Sequence, residues 1–423
     1  MALQLTASEQ ATLAQLEAKG SPSQARRAAV ILRSNNGVSA AAIARELGIS
    51  TNQVYYWRNQ WMQRGMQIFE AAVQAEETAV ADEQPAATIA APAEAPRPGV
   101  DVPRLPLTLC ETVGLLPDDP MAEAGRKVLH FHFERMLFHE PGVRLGEDIE
   151  HVHDMRVATR RMRSAFRLFA PFFDAKTVRP LVRGLRRTAQ ALGAVRDLDV
   201  FREKAERFMA ERPGLSLEPL FTTWQADYDA ARQALLAELD SKRFARFVER
   251  FQTFVSTPGM GAISANGDSA LANRVRYVAP RLIYEHYERV RAYETVLDGA
   301  SLDTLHALRI EFKRLRYAVE FFAEVLGPEA SLVIKEIKIM QDHLGDLNDT
   351  QVAIQTLEDF ISQHWHRHSG IPHFLRENIN GVLLYADAKA AEQRHLLETF
   401  PQAWANFNRE EVRRSLALAI AAL

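Results

Sequence analysis

The chain has a single cysteine, Cys110, among 423 residues. That excludes an intrachain disulfide and any zinc cluster built from cysteines, and it fits a reducing cytosol. Nowhere do apolar residues run for the roughly 20 positions that a membrane span requires. The apolar end SLALAIAAL is too short and reads as a final packing helix. The opening stretch MALQLTASEQATLAQLEAKG lacks the basic flank and apolar core of a signal peptide, so the expected location is the cytoplasm. Strand-like alternation is missing beyond Leu105, which leaves helix throughout. An excess of one charge is missing too: the net charge is -3, with 47% hydrophobic and 25% charged residues. Any anion site must therefore be a local concentration of cations.

Such a concentration occurs at HDMRVATRRMRSAFRLF, from His153 to Phe169, with five arginines and no acid between Arg156 and Arg167. It returns as HALRIEFKRLRYAVEFF, from His306 to Phe322. His153 aligns with His306, Arg156 with Arg309, Arg160 with Lys313, Arg161 with Arg314, Arg163 with Arg316 and Phe169 with Phe322. At about 100° of turn per residue, the histidine and the cations three, seven and ten places later fall in a stripe about 80° wide, joined by Arg167. Met155, Phe166 and Phe169, like Ile310, Val319 and Phe322, supply an apolar face. Like charges at helical neighbour spacing repel, by a few tenths of a kcal/mol per pair, and a polyanion would relieve them. Arginine suits phosphate because its planar fork grips two oxygens at once.

Before this, three short helices are predicted between Pro22 and Gly65, within a module spanning residues 1–65. Ser39 is placed to cap the second, and Ser50 or Thr51 the third after a turn at Gly48. Ile43, Leu47, Ile49, Val54 and Trp57 are spaced to fill a small core, with Ala44 allowing close approach. The pattern resembles the homeodomain-like helix-turn-helix of resolvases and transposases. That resemblance implies DNA contact through Asn52, Gln53, Tyr56, Arg58 and Asn59, whose amide and guanidinium groups can read base edges. The competing reading is a protein-interaction module, since the segment is not strongly basic. Residues 66–104, rich in Ala, Glu and Pro, read as a linker.

From residue 105 to 423 the order of elements repeats, in units of about 105–257 and 270–423 separated by STPGMGAISANGDS. Lys127, His132, Glu134 and Arg135 match Arg281, His286, Glu288 and Arg289. Arg183, Arg186, Leu192, Gly193, Asp197 and Val200 match Lys335, Lys338, Leu344, Gly345, Asp349 and Val352. Each unit reads as four helices: one to about His139 with a turn at Pro141 and Gly142, the ridge helix ending near Pro171, a third from Val178, and a run from about Leu217 to Val255 in the first copy. In that run Trp224, Leu235, Leu239, Phe244, Phe247 and Phe251 are core candidates. Asp197 and Asp349 are expected to fix an arginine or to cap a helix after a break at Gly193 or Gly345.

With LGAVRDLDV and LGDLNDTQV beside the ridge residues, this region resembles the CHAD family, the conserved histidine α-helical domain. The resemblance implies an all-α fold of two pseudo-symmetric four-helix bundles that bind inorganic polyphosphate between their basic ridges, and a place on polyphosphate granules. The residues expected at the ligand are Lys127, His153, Arg156, Arg160, Arg163, Arg167, Arg183, Arg186, Arg281, His306, Arg309, Lys313, Arg316, Lys335 and Lys338. Asp342 shares the stripe of Lys335 and Lys338 and would weaken it unless paired with Lys338. The alternating glutamates of a CYTH triphosphate-tunnel module are missing, so the expectation is binding without catalysis, metal or cofactor. Competing readings are a DNA-binding regulator linked to the nucleoid, a general polyanion or RNA binder, and a phosphohydrolase with His151, His153 and Asp154 at a metal.

Overall fold

The computed structural model describes residues 5–19, 22–36, 38, 40–47, 54, 57–58, 61, 66, 69, 109–263, 271–367 and 378–423. All regular elements among them are helices. The chain divides into two units, residues 1–98 and 99–423.

In the first unit, α1 (Ala7–Lys19), α2 (Pro22–Asn35) and α3 (Ala40–Leu47) are followed by helical residues at Val54, Trp57, Arg58 and Trp61. The sequence reading did not anticipate α1. Its signal was a capping box, in which Glu9 N donates to Thr6 Oγ1 at 3.3 Å and Thr6 N donates to Glu9 Oε2 at 2.8 Å. Leu13, Ala28, Ile31, Trp61 and Phe69 form one small core, while Val30, Ile43 and Val54 form another, with Leu47 and Trp57 packed against it. Ser39, Gly48, Ile49, Ser50, Thr51 and the side chain of Ala44 lie outside the described residues, as does most of the 66–104 stretch.

The second unit holds two copies of one arrangement. The first is α4 (Met121–Leu145), α5 (Ile149–Leu168), α6 (Ala175–Ala210), α7 (Glu218–Leu239) and α8 (Lys242–Ser256). The second is α9 (Val275–Arg291), α10 (Leu302–Phe321), α11 (Ala330–Arg367), α12 (Asn380–Phe407) and α13 (Glu410–Ala421). Each copy is four helical runs with the fourth interrupted, in the first copy at Ser241, whose Oγ accepts from Phe244 N at 3.0 Å.

Two local expectations are corrected. The helix α4 continues through Pro141 and Gly142 and ends at Gly146, which has a left-handed φ of 69° and donates to Gly142 O at 2.9 Å. Gly142 instead serves packing, because a Cβ there would lie 2.1 Å from the His151 ring. Likewise α6 and α11 run unbroken through Gly193 and Gly345. A glycine costs a helix about 1 kcal/mol, which the burial of Leu192, Val195, Leu344 and Leu347 around it outweighs.

The copies are related by a pseudo-two-fold axis, and two contacts mark it. Met121 N donates to Asn273 O at 2.9 Å, and Val275 N donates to Asp119 O at 3.0 Å, the same bond made from equivalent positions. Phe169 and its equivalent Phe322 meet edge to face, with centroids 5.8 Å apart. A side chain touches its own counterpart only beside such an axis. Trp224, Leu235, Leu239, Phe244, Phe247, Phe251, Met155, Phe166 and Val319 are buried as expected, whereas Ile310 is only half-buried. Each large apolar side chain so buried contributes about 1.5–3 kcal/mol. At Gly184, helix α6 lies directly on the Phe247 ring, 2.1 Å from where a Cβ would stand.

Candidate functional site

Asp148 caps α5 by accepting from Glu150 N at 2.9 Å, and Ser301 caps α10 by accepting from Thr304 N at 3.2 Å. Val152, Met155, Met162 and Phe166 on α5, with Leu305, Leu308, Phe312 and Leu315 on α10, bury the apolar faces. The two ridge helices pack on one another, and Arg156 and Arg160 of the first come within electrostatic reach of Lys313 of the second. Arg309 belongs to the same cluster, half-buried over Gly345, with no hydrogen-bond partner for its Nε among the described residues. Burial and then Arg160 lower its pKa, opposed by Asp349.

Both acids at this cluster are engaged. Asp197 lies 2.8 Å from Arg156, fixing an arginine as expected, and Asp349 lies 2.9 Å from Lys204 of the other repeat. Burial, then Arg309 and Arg160, push the Lys313 ammonium down to about 8. His153 is half-buried and its pKa is lowered by burial, then by Arg196, Arg160 and Arg156, so the cations resist its protonation. His306 is exposed, and its Nδ1 sits 2.7 Å from Asn348 Oδ1. Asn348 takes the place that Arg196 holds in the first repeat. Arg196 is 7% exposed, its Nε and Nη1 have no hydrogen-bond partner among the described residues, and burial pushes nearby Asp199 up to about 7.

Beyond the cluster the two repeats differ. Arg160, Arg163, Arg167, Arg183 and Arg186 are exposed, and none has a carboxylate at ion-pair distance among the described residues. Arg167 has its pKa lowered by burial, then by Arg314, Arg163 and Arg186, so these cations share one neighbourhood. In the second repeat, Arg316 is held by Glu320 at 2.6 Å and by Gln341 at 2.8 Å. Glu320 also takes Arg161 of the first repeat at 2.9 Å. Arg281, Lys335 and Lys338 are exposed without an acidic partner among the described residues; Asp342, also exposed, forms no ion pair with Lys338. Lys127 turns to Asp119 at 2.7 Å and to Gly114 O at 2.9 Å, tying down the segment before α4.

Sequence reasoning missed Arg161, Arg314, Arg196, Lys204 and Glu320 as participants. One signal was available: eight residues after the histidine, Arg161 and Arg314 fall off the cationic stripe. A second was that Glu320 occupies the place equivalent to Arg167. In the N-terminal unit, Arg58 donates from Nε to Ser34 Oγ at 2.6 Å and from Nη2 to Val38 O at 2.7 Å. Asn52, Gln53, Tyr56 and Asn59 lie outside the described residues. His139 and His151 approach with Nδ1 atoms 3.2 Å apart, and His139 Nε2 lies 3.7 Å from Asp154. Among the described residues, no three His, Cys, Asp or Glu side chains are grouped to hold a metal ion, and no helix is long and apolar enough to cross a membrane.

Comparison with known proteins places this arrangement. Two uncharacterized proteins from two strains of Mycobacterium tuberculosis are 29% identical over 259 residues, 58% of this chain and 47% of theirs. The chain thus spans about half the length of the curated relatives it matches. Among solved structures, PptA from Streptomyces chartreusis has a TM-score of 0.52 at 15% identity, covering 68% of this chain and 100% of that one. This likeness concerns the fold. The CHAD domain from the plant Ricinus communis gives a TM-score of 0.49 at 23% identity, covering 72% of this chain and 93% of that one. A homeodomain-like domain matches residues 21–67. The CHAD domain matches residues 127–358, more than half of the sequence, so the chain belongs to the CHAD family.

Proposed function

We propose that the CHAD domain binds inorganic polyphosphate without altering it. The observation that carries this reading is the run of exposed arginines without carboxylate partners among the described residues, Arg160, Arg163, Arg167, Arg183 and Arg186, continuous with the cluster at Arg309 and Lys313. Unpaired guanidiniums this close repel one another, and a flexible chain of phosphates relieves the repulsion at every step. Family membership supports the choice of polyphosphate among polyanions. A place on polyphosphate granules follows from the same reading. The homeodomain-like match supports a second contact, with duplex DNA, that would tether such granules to the nucleoid.

The test is binding of the whole chain to long-chain polyphosphate, in competition with single-stranded RNA and duplex DNA, at about physiological salt. Preference for polyphosphate that is lost in Arg156→Glu with Arg309→Glu is the expected result. Equal binding of all three would make the protein a general polyanion binder. Orthophosphate release on adding Mg²⁺ or Mn²⁺, abolished by the same substitutions, would make it an enzyme.

A further inference from the structure

Between the start of α10 and the middle of α11 lies a cavity of about 380 Å³. Leu302 and Leu305 of α10, with Leu344 and Leu347 of α11, give it apolar walls. Asp303, His306, Asn348 and Gln351 bring polar groups to it. In the first repeat the positions of Asn348 and Gln351 are held by Arg196 and Asp199, which are buried, at 7% and 9% exposed. In the second repeat Asn348 is half-buried and Gln351 is exposed. Positions that one repeat packs shut are therefore open in the other.

The polar groups have capacity to spare. Asn348 Oδ1 lies 2.7 Å from His306 Nδ1, which leaves the amide Nδ2 as a donor. Gln351 Oε1 accepts from Gln393 Nε2 at 2.8 Å, so its own Nε2 is a second donor. Asp303, exposed in the first turn of α10, forms no ion pair among the described residues. One turn beyond His306, Arg309 lies over Gly345, its Nε 3.9 Å from where a Cβ would stand there. That Nε is buried and has no hydrogen-bond partner among the described residues.

Apolar walls with a few placed polar groups suit a flat heteroaromatic ring. The polar edge selects which one. A carboxylate accepts from two adjacent N–H groups, which guanine offers at N1 and N2, while adenine turns a lone pair at N1 toward it. Carboxamide donors match the guanine O6 and N7 acceptors. We propose that this cavity binds a guanine nucleotide, with its base between the leucines and its phosphates directed along α10 to Arg309. A phosphate oxygen there supplies the acceptor that the Arg309 Nε lacks. Nucleotide and polyphosphate would then compete for Arg309, a consequence that rests on the polyphosphate reading.

The test is calorimetric binding of GTP, ATP and guanosine to the whole chain at about physiological salt. GTP should bind about tenfold or more tightly than ATP, and more tightly than guanosine. Equal affinity for GTP and ATP overturns the proposal, because phosphates gripped by arginines alone would give that result. Guanosine binding as tightly as GTP overturns the Arg309 contact. Asp303→Asn, at an exposed residue, should erase the preference for GTP and leave polyphosphate binding unchanged; a preference that survives places the base elsewhere and overturns the site. Long-chain polyphosphate should displace GTP. Selective GTP binding that polyphosphate leaves untouched supports the nucleotide site and counts against polyphosphate at Arg309, whereas a chain that binds polyphosphate without preferring GTP overturns the nucleotide site alone.

Discussion

Arg161 of α5 reaches across the repeat interface to Glu320 of α10, with Nη2 2.9 Å from Oε2. Under the pseudo-two-fold the equivalent pair is Arg314 and Arg167, two cations, and burial followed by the charge of Arg314 lowers the pKa of Arg167. One symmetry-related place is thus an ion pair and the other a like-charge approach. The same substitution of sign, Glu320 for Arg167, also locks Arg316 and leaves its equivalent Arg163 exposed.

Glu320→Gln should test this asymmetry directly. Losing one charged partner of Arg161 and Arg316 should lower stability in chemical denaturation by about 1–3 kcal/mol. It should also release two guanidiniums for ligand, strengthening polyphosphate binding at low salt and steepening its salt dependence. Unchanged binding in a folded variant would mean that this end of the ridge never meets the ligand.

Arg163→Gln with Arg167→Gln should flatten the slope of log affinity against log salt by about 1.5–2, by analogy with phosphate contacts on DNA. Arg316→Gln, at a residue already tied to Glu320 and Gln341, should flatten it far less and cost stability instead. Salt titrations of both variants decide the matter, and equal losses would show that the repeats contribute symmetrically.

Lys313 predicts a proton linkage. Facing it are Arg309 on its own helix, Arg156 and Arg160 on α5, and Asp349 on α11. Its folded pKa of about 8 lies below the ordinary 10.5, so its unfolded form binds more protons between those values. This group's contribution to stability therefore rises with pH across that window. A polyanion favours the ammonium, so binding at pH 8 should take up protons and weaken as pH rises toward 10. Calorimetry in two buffers of different ionisation heat measures the uptake, which Lys313→Gln should abolish.

Asp199 predicts the opposite slope for stability. Burial raises its carboxyl from 3.8 to about 7, against the pull of Arg196, Arg202 and Arg232. Its folded form holds a proton that the unfolded form releases, so its contribution is fully present below pH 4 and is lost as pH rises through 7. Asp199→Asn should flatten thermal stability between pH 4 and 7 and leave the fold no less stable at pH 8. A strong loss at pH 8 would mean that the ionised carboxylate and Arg196 support one another.

Legible in the sequence is what depends on near neighbours along a helix. Helical periodicity predicted the all-α fold, the spacing of cations from His153 and His306 predicted the ridge helices, and their recurrence predicted the duplication. Local packing already escaped it: Pro141, Gly142, Gly193 and Gly345 read as breaks, yet buried apolar neighbours and the His151 ring carry the helices through. The tertiary structure alone decided which cations remain available. Arg161 meets Glu320, and Lys204 meets Asp349, across more than a hundred residues of chain. Ion pairing is set by distances of a few ångströms between side chains, and no helical spacing encodes which acid of one repeat will stand beside which arginine of the other.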